Sequence, residues 1–549
     1  MKRRDFLSAI GPLAAAPLLL NGIPVRAMSN QFLKKFAMNA DNDRVLILVQ
    51  LHGGNDGLNT IIPLNSYAEY VNLRPNIAIP DTGSRAYLPV DTTLPSDQQA
   101  AFHPDMADAK SLYDDGKMNI VQGVTYPNTN QSHFRGRDIW FGGGSYDEFK
   151  SSGWMGRYLE FIFPDFPEGH PSQDMPDPVG LEVGGAVSFG FQRDSGVPAA
   201  IAVEDPVAFF DLINGVGGAL PTNIQGTHFG EELSYLMGLE QQANDYAARL
   251  KSVYESGTNS ASVTYPTTYS GTAPANYQDN ELAWQLQLIA RLLAGGIKTK
   301  VFLTRLSRFD THNDQTLSND PTMGAHAALL YHLSTAMKAF QDDLQALGLE
   351  DRVLSMTFSE FGRRPTSNGS FGTDHGKAAP MLVFGKGVNG GMTGLSPDLS
   401  DLDSSNNLKM QYDYRDVFID VLENWMGADK PTIDYTFDNR TGDPNINLIN
   451  PNFATDIDNP DFSQKPALYP NTPNPVQDET LVRFFLAKHS HVKIGLFDMQ
   501  GKELTTLVDE DRAQGVHELT YQVTHLTAGT YMLAMEAEGY YAARKMVVK

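Results

Sequence analysis

The segment Val45-Leu46-Ile47-Leu48-Val49-Gln50-Leu51 is an almost unbroken apolar run that stops at His52-Gly53-Gly54-Asn55-Asp56-Gly57. It lacks the apolar/polar alternation of a half-exposed strand, so the strand it predicts is buried on both faces. Such strands belong to parallel sheets covered by helices. The glycine-rich loop follows at the C-terminal end, the edge where open α/β sheets place their ligands.

The rest of the chain fits that frame. Further inner strands are predicted at Met118 to Val124, Thr299 to Leu303, Val353 to Phe358 and Pro380 to Gly385. Helical periodicity covers residues 229–256, Glu281 to Leu293 before Gly295-Gly296, and Ala325 to Leu347. A Ser, Thr, Tyr and Pro-rich loop separates the first two helices. Strands alternating with helices predict an α/β fold, a mainly parallel sheet with helices on both faces. After Gly427 the composition turns to Asp, Asn and Pro, which reads as a linker or irregular cover over residues 428–466. From residue 467 onward the pattern is short strands only, a small C-terminal β-sandwich.

The N-terminus reads as an address. Met1-Lys2-Arg3-Arg4-Asp5-Phe6-Leu7 precedes an apolar run from Ala9 to Leu20 and a small-residue site near Ala27. Basic start, short apolar stretch and cleavage site make residues 1–27 a signal peptide, and Arg3-Arg4 followed by Phe6-Leu7 resembles the twin-arginine type. The mature chain is expected to have no transmembrane span. The large α/β domain is placed at residues 40–427.

Composition removes whole classes of chemistry. There are no cysteines, which excludes thiolate catalysis, Cys-ligated zinc, iron–sulfur clusters and disulfides. Any resident ion must use His, Asp, Glu or other oxygen donors, which suits zinc, magnesium, manganese or calcium. The formal net charge of −23 repels phosphate backbones and argues against nucleic acid as a partner. An anionic substrate needs local help from a metal or from well-placed arginines.

Four polar clusters lie at or near predicted strand ends: Asp56; Asp310 and His312; Ser359-Glu360; and Asp374-His375. Strand ends of one parallel sheet converge on one edge, so Asp56, Asp310, His312, Glu360, Asp374 and His375 are the candidate metal ligands. Each has a plainer role open to it. Asp56 fits a turn and Asp310 a helix cap. Glu360 can pair with Arg363 or Arg364, and Asp374 can orient His375 without touching metal. Ser132 and His133 are the candidate catalytic pair. Ser132 follows an inner strand and is placed to open a helix, where backbone N–H groups favour an anion. The plainer alternative is an N-cap serine and a packed or surface histidine. Arg135 and Arg137 suit either an anionic group or ordinary surface charge.

These residues also carry a resemblance. Leu51-His52-Gly53-Gly54-Asn55-Asp56-Gly57-Leu58-Asn59, Arg74-Pro75, Ser132-His133-Phe134, Gly153-Trp154-Met155-Gly156-Arg157-Tyr158, Phe309-Asp310-Thr311-His312, Phe358-Ser359-Glu360-Phe361-Gly362-Arg363 and Gly372-Thr373-Asp374-His375-Gly376 resemble the domain of unknown function 1501 family. That family is grouped with the alkaline phosphatase and sulfatase superfamily. The resemblance implies an alkaline phosphatase-like sheet with a divalent-metal site hydrolysing phosphate or sulfate esters, small or glycan-linked. Where the superfamily has Asp-His at one strand end, this chain has Ser359-Glu360, so one imidazole of a two-metal pattern is replaced. Leu468-Tyr469-Pro470-Asn471-Thr472-Pro473-Asn474-Pro475, Val492 to Asp498, Leu526 to Tyr531 and the basic Arg544-Lys545 resemble the type IX secretion sorting domain of Bacteroidota. That implies passage through the periplasm and delivery by secretion machinery to the cell surface or medium. Two functions are therefore expected to compete: an exported metal-dependent hydrolase, and a non-catalytic surface protein that retains the fold. Glycan binding by the β-rich tail is a third expectation.

Overall fold

The computed structural model describes residues 43–549 except 216–243, 454–465 and short stretches at 164–165, 168, 173–174, 195–196, 470, 472–475, 487, 499–502, 538–539 and 549. Before residue 43 it describes only a paired Leu19–Leu20 and Ile23–Pro24, so the signal-peptide expectation lies outside the described residues. The same holds for residues 229–243 of the first predicted helix, whose remainder is helical over 244–256.

The main sheet has nine strands: β1 Val45–Leu51, β2 Met118–Thr125, β3 Gly180–Val183, β4 Ile201–Val203, β5 Val301–Leu306, β6 Val353–Phe358, β7 Ala379–Phe384, β8 Gly391–Thr393 and β9 Tyr412–Asp413. Their order across the sheet is β8-β2-β7-β6-β1-β5-β3-β4, with β9 also against β2. β1 is parallel to both β5 and β6. β7 alone runs against its neighbours β6 and β2. The sheet is thus mainly parallel, as the apolar runs predicted.

Eight helices matter to the layers or the site: α1 Tyr67–Leu73, α2 Ala107–Asp114, α3 His133–Gly142, α4 Trp154–Ile162, α5 Glu281–Ala294, α6 Ala325–Ala346, α7 Tyr414–Val421 and α8 Lys430–Phe437. Period-two alternation along β1 divides the core. Val45, Ile47, Val49 and Leu51 join the cluster formed with α2, α5 and α6. Leu46 and Leu48 join the opposite cluster, with Trp140 of α3, Trp154 of α4 and Phe418 of α7. Both faces of the strand are therefore dry, which is why its sequence lacks polar alternation. Beyond Gly427 the chain stays packed on this second cluster: α8 is followed by an irregular stretch that buries Ile446, Leu448 and Ile449.

The C-terminal module contains β10 Glu479–Leu486, β11 Ser490–Phe497, β12 Glu503–Arg512, β13 Gly515–Gln522, β14 Gly529–Ala537 and β15 Tyr540–Val548. One antiparallel sheet joins Ala467–Leu468, β10 and β13, and the other runs β12-β11-β14-β15. They share one apolar core around Val482, Phe484, Ile494 and Leu533. Along β12 only Val508 is buried, which leaves its sequence no apolar alternation to read.

Candidate metal centre

Three parallel strands deliver their C-terminal ends to one rim. β1 runs into the Gly53-Gly54 turn, β5 into Arg308 to His312, and β6 into Ser359-Glu360. β2 ends beside them and leads to α3, which opens at His133. His375 reaches the same rim by another route. It ends the hairpin of Arg363–Ser367 with Thr373–His375, and because β7 is reversed, the chain entering β7 lies at this edge.

Gly53 is what allows the approach. Its φ is +126°, and a Cβ there would sit 2.3 Å from the backbone nitrogen of Asp310. Only glycine combines that conformation with that contact.

One donor atom from each of His133, Asp310 and His375 lies within 4.8 Å of the other two. His133 Nε2 is 3.4 Å from Asp310 Oδ2, and His375 Nε2 is 3.5 Å from Asp310 Oδ1. The other ring nitrogens are held from behind. His133 Nδ1 is 2.9 Å from Glu360 Oε1, and His375 Nδ1 is 2.7 Å from the Gln131 carbonyl oxygen. Carboxylate and carbonyl oxygens only accept, so each Nδ1 donates, and in the neutral ring that tautomer leaves Nε2 with its lone pair. Glu360 Oε1 is fixed in turn by the Gly53 N–H at 2.9 Å.

His133 Nε2, His375 Nε2 and Glu360 Oε2 are buried with no hydrogen-bond partner among the described residues. Two lone-pair imidazole nitrogens beside a carboxylate, each imidazole oriented by an oxygen acceptor, is the donor set and outer support that a divalent ion takes.

Electrostatics agrees with that inventory. Burial alone would raise the Asp310 carboxyl, but the Arg363 guanidinium, with the nearby imidazoles, holds it at about 2. Burial lowers the His375 imidazole against the pull of the Gln131 carbonyl, helped by the Arg363 charge. His375 therefore stays neutral at physiological pH, the form in which it can ligate.

Arg363 organises the rim. Its side chain is fully buried. It donates to Asp310 Oδ1 at 2.7 Å, to the carbonyls of Gly53, Gly54 and Thr373 at 2.5, 2.8 and 2.9 Å, and to that of Phe309 at 3.1 Å. The sequence offered Arg363 as a partner for Glu360; instead it pairs with Asp310, and Glu360 pairs with His133.

The remaining expected residues fall as follows. His312 Nδ1 lies 2.7 Å from Asp310 Oδ1, on the flank of the group. Asp374 is exposed and accepts from Asn368 Nδ2 at 3.2 Å, away from the three donors. Asp56 is fully buried and paired with Arg74 at 2.6 Å, also outside the group. Ser132 is the exposed N-cap of α3, and its side chain makes no capping bond. Sequence reasoning did not single out His52, which stands beside the site. Burial lowers its pKa, Glu360 opposes that, and the charges of Arg305, Arg137 and His133 add to it. Its place as the residue directly after β1 was the signal available.

Residues 230–440 match the model of the family described as "Protein of unknown function (DUF1501)". This span is similar to that family. It contains Asp310, His312, Glu360, Arg363 and His375, whereas His133 and Asp56 lie N-terminal to the match. Residues 468–549 match the secretion system C-terminal sorting domain, which marks a chain for export to the cell surface or the medium. No curated protein sequence matches the chain. Solved structures of similar shape include a Bacteroides thetaiotaomicron protein from a locus for metabolism of multiple glycosaminoglycans, 9% identical over 88% of this chain and 90% of that one at TM-score 0.31. The PsFucS1 sulfatase from Pseudoalteromonas sp. is 9% identical over 90% and 87% at TM-score 0.32. Alkaline phosphatase from the Antarctic bacterium TAB5 is 9% identical over 72% and 99% at TM-score 0.26. Scores this low carry nothing for the chemistry, which rests on the geometry of the rim. Among the described residues no helix is long and apolar enough to cross a membrane.

Proposed function

We propose that the protein is an exported metal-dependent hydrolase of phosphate or sulfate esters whose cation is held by His133, Asp310 and His375. The observation that carries this reading is the pair of imidazoles, each oriented through Nδ1, that aim partnerless buried Nε2 atoms at one carboxylate. A divalent ion at such a set supplies Lewis acidity toward an ester oxygen and lowers the pKa of a bound hydroxyl or water. The chain's own part is positional. Glu360 and the Gln131 carbonyl fix the two rings, and Arg363 keeps Asp310 ionised. Ser132, exposed at the N-terminus of α3, is the proposed nucleophile, and the first-turn N–H groups of that helix favour an anionic group beside it.

The test is a screen of the purified mature chain with phosphomonoesters, phosphodiesters and sulfate esters across zinc, magnesium, manganese and calcium. Ion-dependent turnover that Asp310→Asn and His375→Ala each abolish in folded protein is the expected result. No bound ion, and no change of melting temperature with any of the four, would sink it. A second reading has its own support. Arg363 already neutralises Asp310, and a guanidinium in that place suits a retained fold without chemistry. It predicts ester turnover no faster than the Asp310→Asn background.

A further inference from the structure

Asp56 lies in the loop after the central strand, yet its carboxylate is walled in. Its Oδ2 accepts from Arg74 Nη1 and Gln315 Nε2, both at 2.6 Å, and all three residues are fully buried. Arg74 closes α1, and its other donors reach Asn59 Oδ1 and the carbonyls of Arg364 and Pro365, each at 2.8 Å. On the far side, Gln315 Oε1 accepts from the hydroxyls of Thr311 at 3.0 Å and Thr373 at 2.8 Å. Thr311 stands between Asp310 and His312, and Thr373 opens the short strand that His375 ends. One carboxylate, one amide and one guanidinium therefore bind together the β1 loop, the segment with Asp310 and both strands of the His375 hairpin.

A buried carboxylate needs a countercharge. Here the chain carries its own, in a fork whose directions are fixed by four oxygen acceptors. An ion at Asp56 Oδ2 would have to expel that guanidinium and leave those acceptors unpaired, which is strongly unfavourable, and Oδ1, buried without a hydrogen-bond partner, has no two further His, Asp or Glu donors gathered with it among the described residues. We infer that Asp56, Arg74 and Gln315 form an internal brace in which the guanidinium stands in the place of a cation, so that the chain holds a single divalent ion, at the His133–Asp310–His375 centre, and positions that centre through the brace. The single-ion clause rests on the proposed metal reading; the brace itself does not. Asp56, Arg74 and Gln315 are thus positioning residues.

The test uses the full chain with Mn2+ alone as the probe, free ion being followed by electron paramagnetic resonance, beside hydrogen exchange on metal-free protein. Wild type is expected to bind one Mn2+, and Asp56→Asn to keep that stoichiometry. Gln315→Met is expected to weaken Mn2+ by about tenfold or more. In metal-free protein it should speed exchange in peptides covering residues 309–316 and 368–376 but not in Val45–Leu51, a pattern that general destabilisation would not give. If that variant does not fold, Thr373→Val removes one bond to Gln315 and is read the same way. Two Mn2+ per wild-type chain, one of them lost in Asp56→Asn, would overturn the inference, because Asp56 would then be a ligand. Unchanged exchange in both peptides would overturn the brace. Wild type that binds no Mn2+ would defeat the proposed centre and the single-ion clause together, while the exchange data still decide the brace.

Discussion

At the residue scale the rim depends on groups set behind the three clustered donors. Glu360 is almost fully buried, yet one of its oxygens does two jobs, holding His133 Nδ1 and capping the Gly53 N–H. Glu360→Gln keeps the shape and removes the charge that orients the imidazole. We expect it to weaken divalent-ion binding by about 10- to 100-fold in calorimetric titration, with little loss of melting temperature. Arg363 is different in kind. Arg363→Lys keeps the charge but cannot serve acceptors in three separate segments, and should cost about 3 kcal/mol in denaturant unfolding. A loss below about 0.5 kcal/mol would mean that those contacts are peripheral. Gly53→Ala forces a side chain into the backbone of Asp310 and a φ of +126°, so a loss of about 2 kcal/mol or more is expected in the same assay.

At the scale of elements, α7 carries a buried acid whose titration can be read directly. Asp420 accepts from the Leu448 N–H at 3.1 Å and from Asn424 Nδ2 at 2.8 Å, but burial outweighs both and pushes its carboxyl up to about 6. A raised acid costs nothing while it is protonated in both states. Its cost is absent below about pH 4, grows between pH 4 and 6, and is complete above that. Asp420→Asn should therefore stabilise the protein by about 1–2 kcal/mol at pH 8 and by nothing near pH 4. A pH-independent difference in unfolding free energy would refute this.

Elements were also where the sequence spoke most clearly. The doubly buried β1 and β6 and the long α5 and α6 were legible because burial writes itself as apolar period. The strand ends that gather at the rim were legible for the same reason. What was not legible were pairings set by side chains far apart in the chain. Nothing local in the sequence distinguishes Asp56, which Arg74 claims, from Asp310, which faces two imidazoles. Nor does anything local mark β7 as the reversed strand, since a strand buried on both faces has the same apolar composition in either direction.

At the scale of the molecule, the sorting module is fastened to the α/β core by aromatic rings. Tyr469 stacks on Phe161 of α4 with ring centres 4.9 Å apart, and Arg483 of β10 lies 4.7 Å over Tyr435 of α8. Phe485 completes that small apolar cluster. Tyr469→Ala removes its centre. It should lower the melting temperature and raise hydrogen exchange in peptides covering α4 and β10, while β1 is unaffected. Equal exchange in all three would show that the tail is held by other means.

The central place of β1 also governs when this protein becomes a protein. Gln50 meets Arg305 across 255 positions, and Asn55 meets Ser359 across 304. The first-made strand of the main sheet must therefore wait, unpartnered and oily, while more than half of the polypeptide leaves the ribosome. Assembly by such distant pairings is slow and exposes sticky edges. A nascent chain of this design keeps that strand without its neighbours until residues 301–358 have been translated, and whichever export route it takes has to accept either a held-open chain or a finished one.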